Sequence, residues 1–169
     1  MGWYVIYCKA GQEDTIINSC KQHISTEVLT DAFQFSYERM KRYLGEWHVD
    51  NYAMFPNYVF LQSEHPEMLS EELEPYRKFT NVLEQKGLLL AVKPEEEQVI
   101  RALCGEAHHM RMSRGVIAKG ELTVTEGPLR GRESMIRRVD RHKRIAILNV
   151  HISRVLSDIC AGLEVTEKR

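Results

Sequence analysis

The sequence predicts an α+β protein: an N-terminal α/β sandwich, with an antiparallel sheet flanked by helices, followed by a small five-stranded β-barrel. Three observations predict this. Apolar residues recur at helical spacing in two segments of the first 107 residues, with a further helix from Pro66, between short aromatic and β-branched runs. Beyond residue 117 only short strand-like runs remain, punctuated by Gly127-Pro128 and Gly131. The charge also reverses: residues 1–110 carry 10 Lys/Arg and 17 Asp/Glu, a balance of −7, and residues 111–169 carry 13 and 7, a balance of +6. Such a split predicts two domains, 1–107 and 118–169, with separate partners and a linker over 108–117.

Gly2–Cys8 is short, apolar and aromatic, and reads as a buried strand ended by Gly11. Ile16, Ile17, Cys20 and Ile24 then recur at helical spacing behind Glu13 and Asp14, which suit the positive end of a helix dipole. Ala32–Glu38 and Trp47–Asn51 read as strands around a basic turn (Arg39, Lys41, Arg42, Gly45). Tyr52–Leu61 is the most apolar stretch. Pro56-Asn57 at its middle predicts a bulge or an irregular start, because proline donates no ladder hydrogen bond. Helices are predicted from Pro66 to about Tyr76 and from Pro94, where Glu95, Glu96 and Glu97 fill the first turn.

His108–Gly115 shows neither alternation nor a helical stripe and reads as linker. Five strands are predicted after it, over 121–125, 134–140, 144–151, 154–159 and 163–166.

Composition excludes several classes. No apolar run approaches the roughly 20 residues of a membrane span, and no secretory-signal layout opens the chain, so a soluble, cytoplasmic protein without membrane contact is expected. Cys8, Cys20, Cys104 and Cys160 form no C-x-x-C pair, which points to buried thiols in a reducing compartment. His108 and His109 are adjacent and diverge in direction, so no metal site is predicted. No catalytic motif stands out, and the chain is expected to be non-enzymatic with no cofactor.

The most informative segment runs from Val124 through Gly127-Pro128-Leu129-Arg130-Gly131 to Asp140. It is a strand, a tight Gly-Pro loop, a second glycine and another strand. This resembles the KOW motif, with Ser134 near a position where that motif often has glycine. In the N-terminal half, Trp3-Tyr4-Val5-Ile6 and Phe55-Pro56-Asn57-Tyr58-Val59-Phe60 resemble segments of the NusG N-terminal (NGN) domain. Asn57 replaces the usual glycine, which a left-handed backbone tolerates. The order of parts matches too, so the resemblance to the NusG family spans nearly the whole chain.

That resemblance implies a monomeric bacterial transcription factor whose N-terminal domain docks an apolar face on the clamp helices of RNA polymerase. The matching positions are Trp3, Tyr4, Phe55, Pro56 and Tyr58, with Phe55 and Tyr58 expected outward beside the Pro-Asn break. Arg77 and Lys78 fall where the family faces non-template DNA. In the basic half, Arg130, Arg132, Arg137, Arg138, Arg141, His142, Lys143 and Arg144, extended by Arg111 and Arg114, are candidates for RNA binding. Arginine forks suit phosphates and guanine edges.

Housekeeping members recruit proteins through a Phe-Gly loop. Here Val150-His151-Ile152-Ser153-Arg154 lacks that pair. The sequence therefore looks most like specialised antiterminator paralogs of the LoaP type, which implies binding to an RNA hairpin in the nascent leader. The alternatives are a general elongation factor whose KOW domain binds protein, and a ribosome-associated KOW protein.

Overall fold

The computed structural model describes every residue except 86, 154, 155 and 157. The chain folds as two compact units, one of residues 1–34 and 55–97, the other of residues 35–54 and 98–169. The division therefore does not fall at the boundary expected near residue 107.

The first unit is built on β1 (Gly2–Tyr7), α1 (Glu13–His23) and β2 (Asp31–Phe33). The next two strands of the chain, β3 (Ser36–Tyr43) and β4 (Glu46–Ala53), belong to the second unit. The first resumes with β5 (Tyr58–Ser63), α2 (Pro66–Glu72) and a 3₁₀ turn over Glu74–Lys78. The short strands β6 (Asn81–Val82), β7 (Glu84–Gln85) and β8 (Leu88–Leu89) complete it. Its main sheet has the antiparallel order β2-β5-β1-β6.

Alternation sorts the side chains of β1. Ile6 and Cys8 join Ile16, Cys20, Ile24, Val59, Leu61, Leu69 and Leu73 in the core beneath α1. Trp3, Val5 and Tyr7 face the other way. Helix α1 has no side-chain cap. Instead Glu13 accepts the Gly11 N–H at 3.1 Å and the Asn57 N–H at 3.2 Å, tying the helix start to the Pro-Asn break. Of the two outcomes expected there, a bulge or an irregular start, the structure has the irregular start, with β5 beginning at Tyr58. The break separates β4 and β5 into different sheets, with Asn57 at φ 76°.

The second unit begins with the β3–β4 hairpin, eight residue pairs long. Its turn is the tight Leu44-Gly45, so Arg39, Lys41 and Arg42 lie in β3 rather than in a basic turn. Helix α3 (Pro94–Cys104) begins in the first unit and ends in the second. Then follow β9 (His109–Met110), β10 (Ser113–Ala118), β11 (Glu121–Glu126), β12 (Ile136–Asp140), β13 (Ile145–Leu148) and β14 (Cys160–Lys168). The last five form a sheet in the order β11-β10-β14-β13-β12.

The count of five strands matches the expectation, but the membership does not. The stretch read as linker holds β9, paired parallel with β3, and β10, paired with both β11 and β14. It carries no apolar alternation because its inward positions are the small residues Ser113 and Gly115, both buried. The strand expected over 154–159 lies partly outside the described residues, and Leu156, Asp158 and Ile159 are not in a strand.

Two glycines explain the close packing. Gly127 has φ +96°, and a Cβ there would sit 2.6 Å from Ser113 Cα. Ser113 Oγ in turn accepts the Leu129 N–H at 3.1 Å, so the Gly-Pro loop is stapled onto β10. At Gly162 a Cβ would strike the Glu38 carbonyl oxygen and Met112 Sδ, so β14 lies directly on the backbone of β3. This approach and the β3–β9 pairing place the hairpin in the second unit. Cys8, Cys20 and Cys104 are buried free thiols and Cys160 is half-buried; burial pushes Cys20 up to about 11 and Cys104 up to about 12.

Candidate functional site

Two surfaces carry the residues singled out from the sequence. The first is the face of the main sheet opposite α1. Its cross-strand pairs run Trp3↔Gln62, Val5↔Phe60 and Tyr7↔Tyr58. At one end Trp3 is fully buried, its indole N–H donating to Gln62 Oε1 at 3.1 Å and its ring edge-on to Phe33 and Phe60. Phe55 is also buried, 5.7 Å from Phe60 between ring centres. The expectation that Phe55 points outward is corrected: the break turns it into the aromatic cluster. Tyr4 alternates to the α1 side, where burial raises its phenol pKa, so Trp3, Tyr4 and Phe55 do not form one exposed patch.

At the other end the row reaches solvent. Pro56 is exposed, Tyr58 is half-buried and Tyr7 is 40% exposed, with the two tyrosine rings 5.2 Å apart. Tyr7 was missed by the sequence reading, although counting in twos from Trp3 reaches it. In the same unit, Arg77 is committed to Glu74, Glu84 (2.7 Å) and Ser70 (3.2 Å), its pKa raised chiefly by the bond to Glu84. Lys78 beside it is exposed.

The second surface is the β12–β13 hairpin. Asp140 closes its turn by accepting the Lys143 N–H at 3.0 Å, and this bond holds the Asp140 carboxyl below its usual range. Four of the predicted cations are tied to protein groups. Arg144, at φ 55°, places its guanidinium 4.0 Å over the Trp47 ring and 3.1 Å from Glu164 Oε1. Arg114 holds the other Glu164 oxygen at 3.1 Å, Arg137 pairs with Asp158 at 2.7 Å, and Arg132 donates to the Pro128 carbonyl at 2.8 Å. Arg111, Arg130, Arg138, Arg141, His142 and Lys143 are exposed and make no ion pair among the described residues. Of these, Arg138, Arg141 and Lys143 lie on the hairpin and Arg130 on the loop before it, so one surface presents positive charge to a polyanion at no cost in broken ion pairs.

His109 is held by Ser36 (2.7 Å) and Glu38 (3.4 Å), and His108 packs edge-on to Phe35. No group of three or more His, Cys, Asp or Glu among the described residues is placed to hold a metal ion. In the loop after β13, Ile152 is fully buried and His151 lies 3.8 Å from Asp158; Arg154 is outside the described residues. No helix among the described residues is long and apolar enough to cross a membrane.

A family model described as "Transcription termination factor nusG" matches residues 1–103, more than half of the chain. The chain belongs to the NusG family. It is thus a transcription factor of the elongation and termination machinery, in a family that typically binds RNA polymerase. The matched stretch contains the aromatic row of β1 and β5; the basic hairpin lies beyond it. No curated protein matches the chain.

Proposed function

We propose that this NusG-family protein is an antitermination and processivity factor, non-enzymatic and cofactor-free, of the LoaP type. An NGN domain in the N-terminal part docks on the clamp helices of bacterial RNA polymerase, and a KOW domain built on the β10–β14 sheet binds an RNA hairpin in the nascent leader. The observation that carries the RNA half is the exposed set Arg130, Arg138, Arg141 and Lys143 without ion-pair partners among the described residues, with His142 in the same turn and Arg111 preceding β10. The face available for docking is the solvent end of the aromatic row, Tyr7, Pro56 and Tyr58. Amphipathic tyrosines give large contact area at low entropy cost.

Mechanistically, recruitment comes from the hairpin and persistence from the clamp contact. A-form RNA hides its major groove, so the arginines meet phosphates and the unpaired bases of a loop. Affinity then falls steeply with salt as bound counterions are released.

The test is transcription in vitro through a terminator, with and without an upstream leader. The wild-type protein should raise readthrough only on templates with the leader. Arg138→Glu/Arg141→Glu/Lys143→Glu should lose this dependence yet still bind polymerase. Tyr7→Ala/Tyr58→Ala should bind the leader RNA and fail on polymerase. Equal readthrough on both templates would leave a general elongation factor instead.

A further inference from the structure

The two arginine-bearing hairpins of the second unit meet at one ring. Trp47 lies in β4 directly opposite Arg42, so both side chains stand on the same face of the β3–β4 hairpin. Met40, two residues before Arg42, shares that face. Arg144, which ends the β12–β13 turn, stacks on Trp47 at 4.0 Å and places Nη1 3.3 Å from Met40 Sδ. The turn carrying Arg141, His142 and Lys143 therefore adjoins the Arg42 face. Arg42 is exposed and makes no ion pair among the described residues. The join is held from two sides: Glu164 on β14 binds the Arg144 guanidinium, and Gly162 lets that strand lie on β3.

We propose that the RNA-binding surface does not stop at the β12–β13 hairpin but continues across the Arg144–Trp47 joint onto Arg42, forming one preorganised phosphate track. This rests on the RNA reading given above and adds a second binding element to it. Arg144 is the joint of the track and not its contact: its charge is already shared with Glu164 and the indole. Arg42 and the turn cations, held at fixed spacing, meet successive phosphates, and preorganisation lowers the ordering cost of binding.

The hairpin supplies its own control. Lys41 is also exposed and carries the same charge, yet it pairs with His48 on the opposite face, where His48 stacks on Tyr43 at 3.8 Å. A short stem–loop RNA with an unpaired purine loop, and a DNA duplex of the stem sequence, serve as probes for anisotropy titrations of the full chain. Between about 50 and 200 mM salt, Arg42→Ala should weaken RNA binding about threefold to tenfold and lower the salt slope by about one. Lys41→Ala should change it by less than about twofold, since a charge off the track acts only through screened long-range attraction.

Equal effects of Arg42→Ala and Lys41→Ala would overturn the track, as would no effect of Arg42→Ala or an effect confined to the DNA duplex. If Arg138→Glu/Arg141→Glu/Lys143→Glu also binds RNA like the wild type, the RNA reading itself fails. If that variant loses RNA while Arg42→Ala keeps it, only the extension fails.

Discussion

The aromatic row of the first unit and the basic hairpin of the second are each divided between residues that pack and residues that face outward, but by different physics. In the row the division follows strand geometry. Trp3, Val5 and Tyr7 share a face, the cluster with Phe33, Phe55 and Phe60 closes over one end, and Tyr7 and Tyr58 emerge at the other. In the hairpin it follows tertiary pairing. Arg137 and Arg144 are committed because Asp158 and Glu164, on later segments, reach them, while Arg138 and Arg141 are met by no acid within ion-pair distance among the described residues. Local pattern settles the first kind of division; only the fold settles the second.

The sharpest way to break this comparison is to cut the buried end of the row. Phe55→Ala should destabilise the protein by about 3–5 kcal/mol in urea unfolding, the range for a large buried ring. Tyr58→Ala should cost under about 1 kcal/mol in the same assay and instead weaken polymerase binding. Similar unfolding losses for both would erase the distinction between packed and outward ends.

Next in size is the loop that anchors the basic half. Gly127→Ala meets both an unfavourable positive φ and the β10 backbone, and should cost about 2–4 kcal/mol. Its effect should appear as early melting with loss of RNA binding.

Smaller again is the contrast within the hairpin. Arg144→Ala removes the Trp47 and Glu164 contacts and should cost about 1–2 kcal/mol. Arg141→Ala should leave the melting curve in place and act on RNA affinity alone. Matching stabilities would show that Arg144 is not held by the fold.

The smallest effect is pH-dependent. Burial raises the Glu38 carboxyl, but the Met112 N–H and His109 outweigh it, so its pKa lies below the ordinary 4.5. A depressed carboxylate contributes stability above its unfolded value and loses it as pH falls through the folded one. Melting temperature should therefore decline in that acid window, and Glu38→Gln should flatten the decline while lowering the neutral plateau.

Much of the first unit was legible because each level agreed: alternation in β1, acidic residues opening α1, Pro66 and Pro94 at helix starts. The linker reading failed where side chains are small. Ser113 and Gly115 fill inward positions of β10, and an apolar count does not register them. Phe55 was misplaced because a bulge was expected to re-aim it outward, whereas the chain leaves one sheet for another at that point. The tied arginines were illegible for a simpler reason: Arg114 and Glu164 lie fifty residues apart. The half-buried Trp47 is the seat of Arg144, a contact between positions almost a hundred residues apart that no local pattern marks.

The position of β12 at the end of its sheet has a consequence for handling the protein. Among the described residues its outer edge is paired with no other strand, and such edges invite a strand from a second copy. Arg138, exposed there, and Arg137 in its ion pair with Asp158 keep charged groups along that edge and discourage edge-to-edge aggregation. Replacing them with Val or Ile would strengthen the strand and invite fibrous association. Replacing them with Glu would reverse the charge and leave the guard standing.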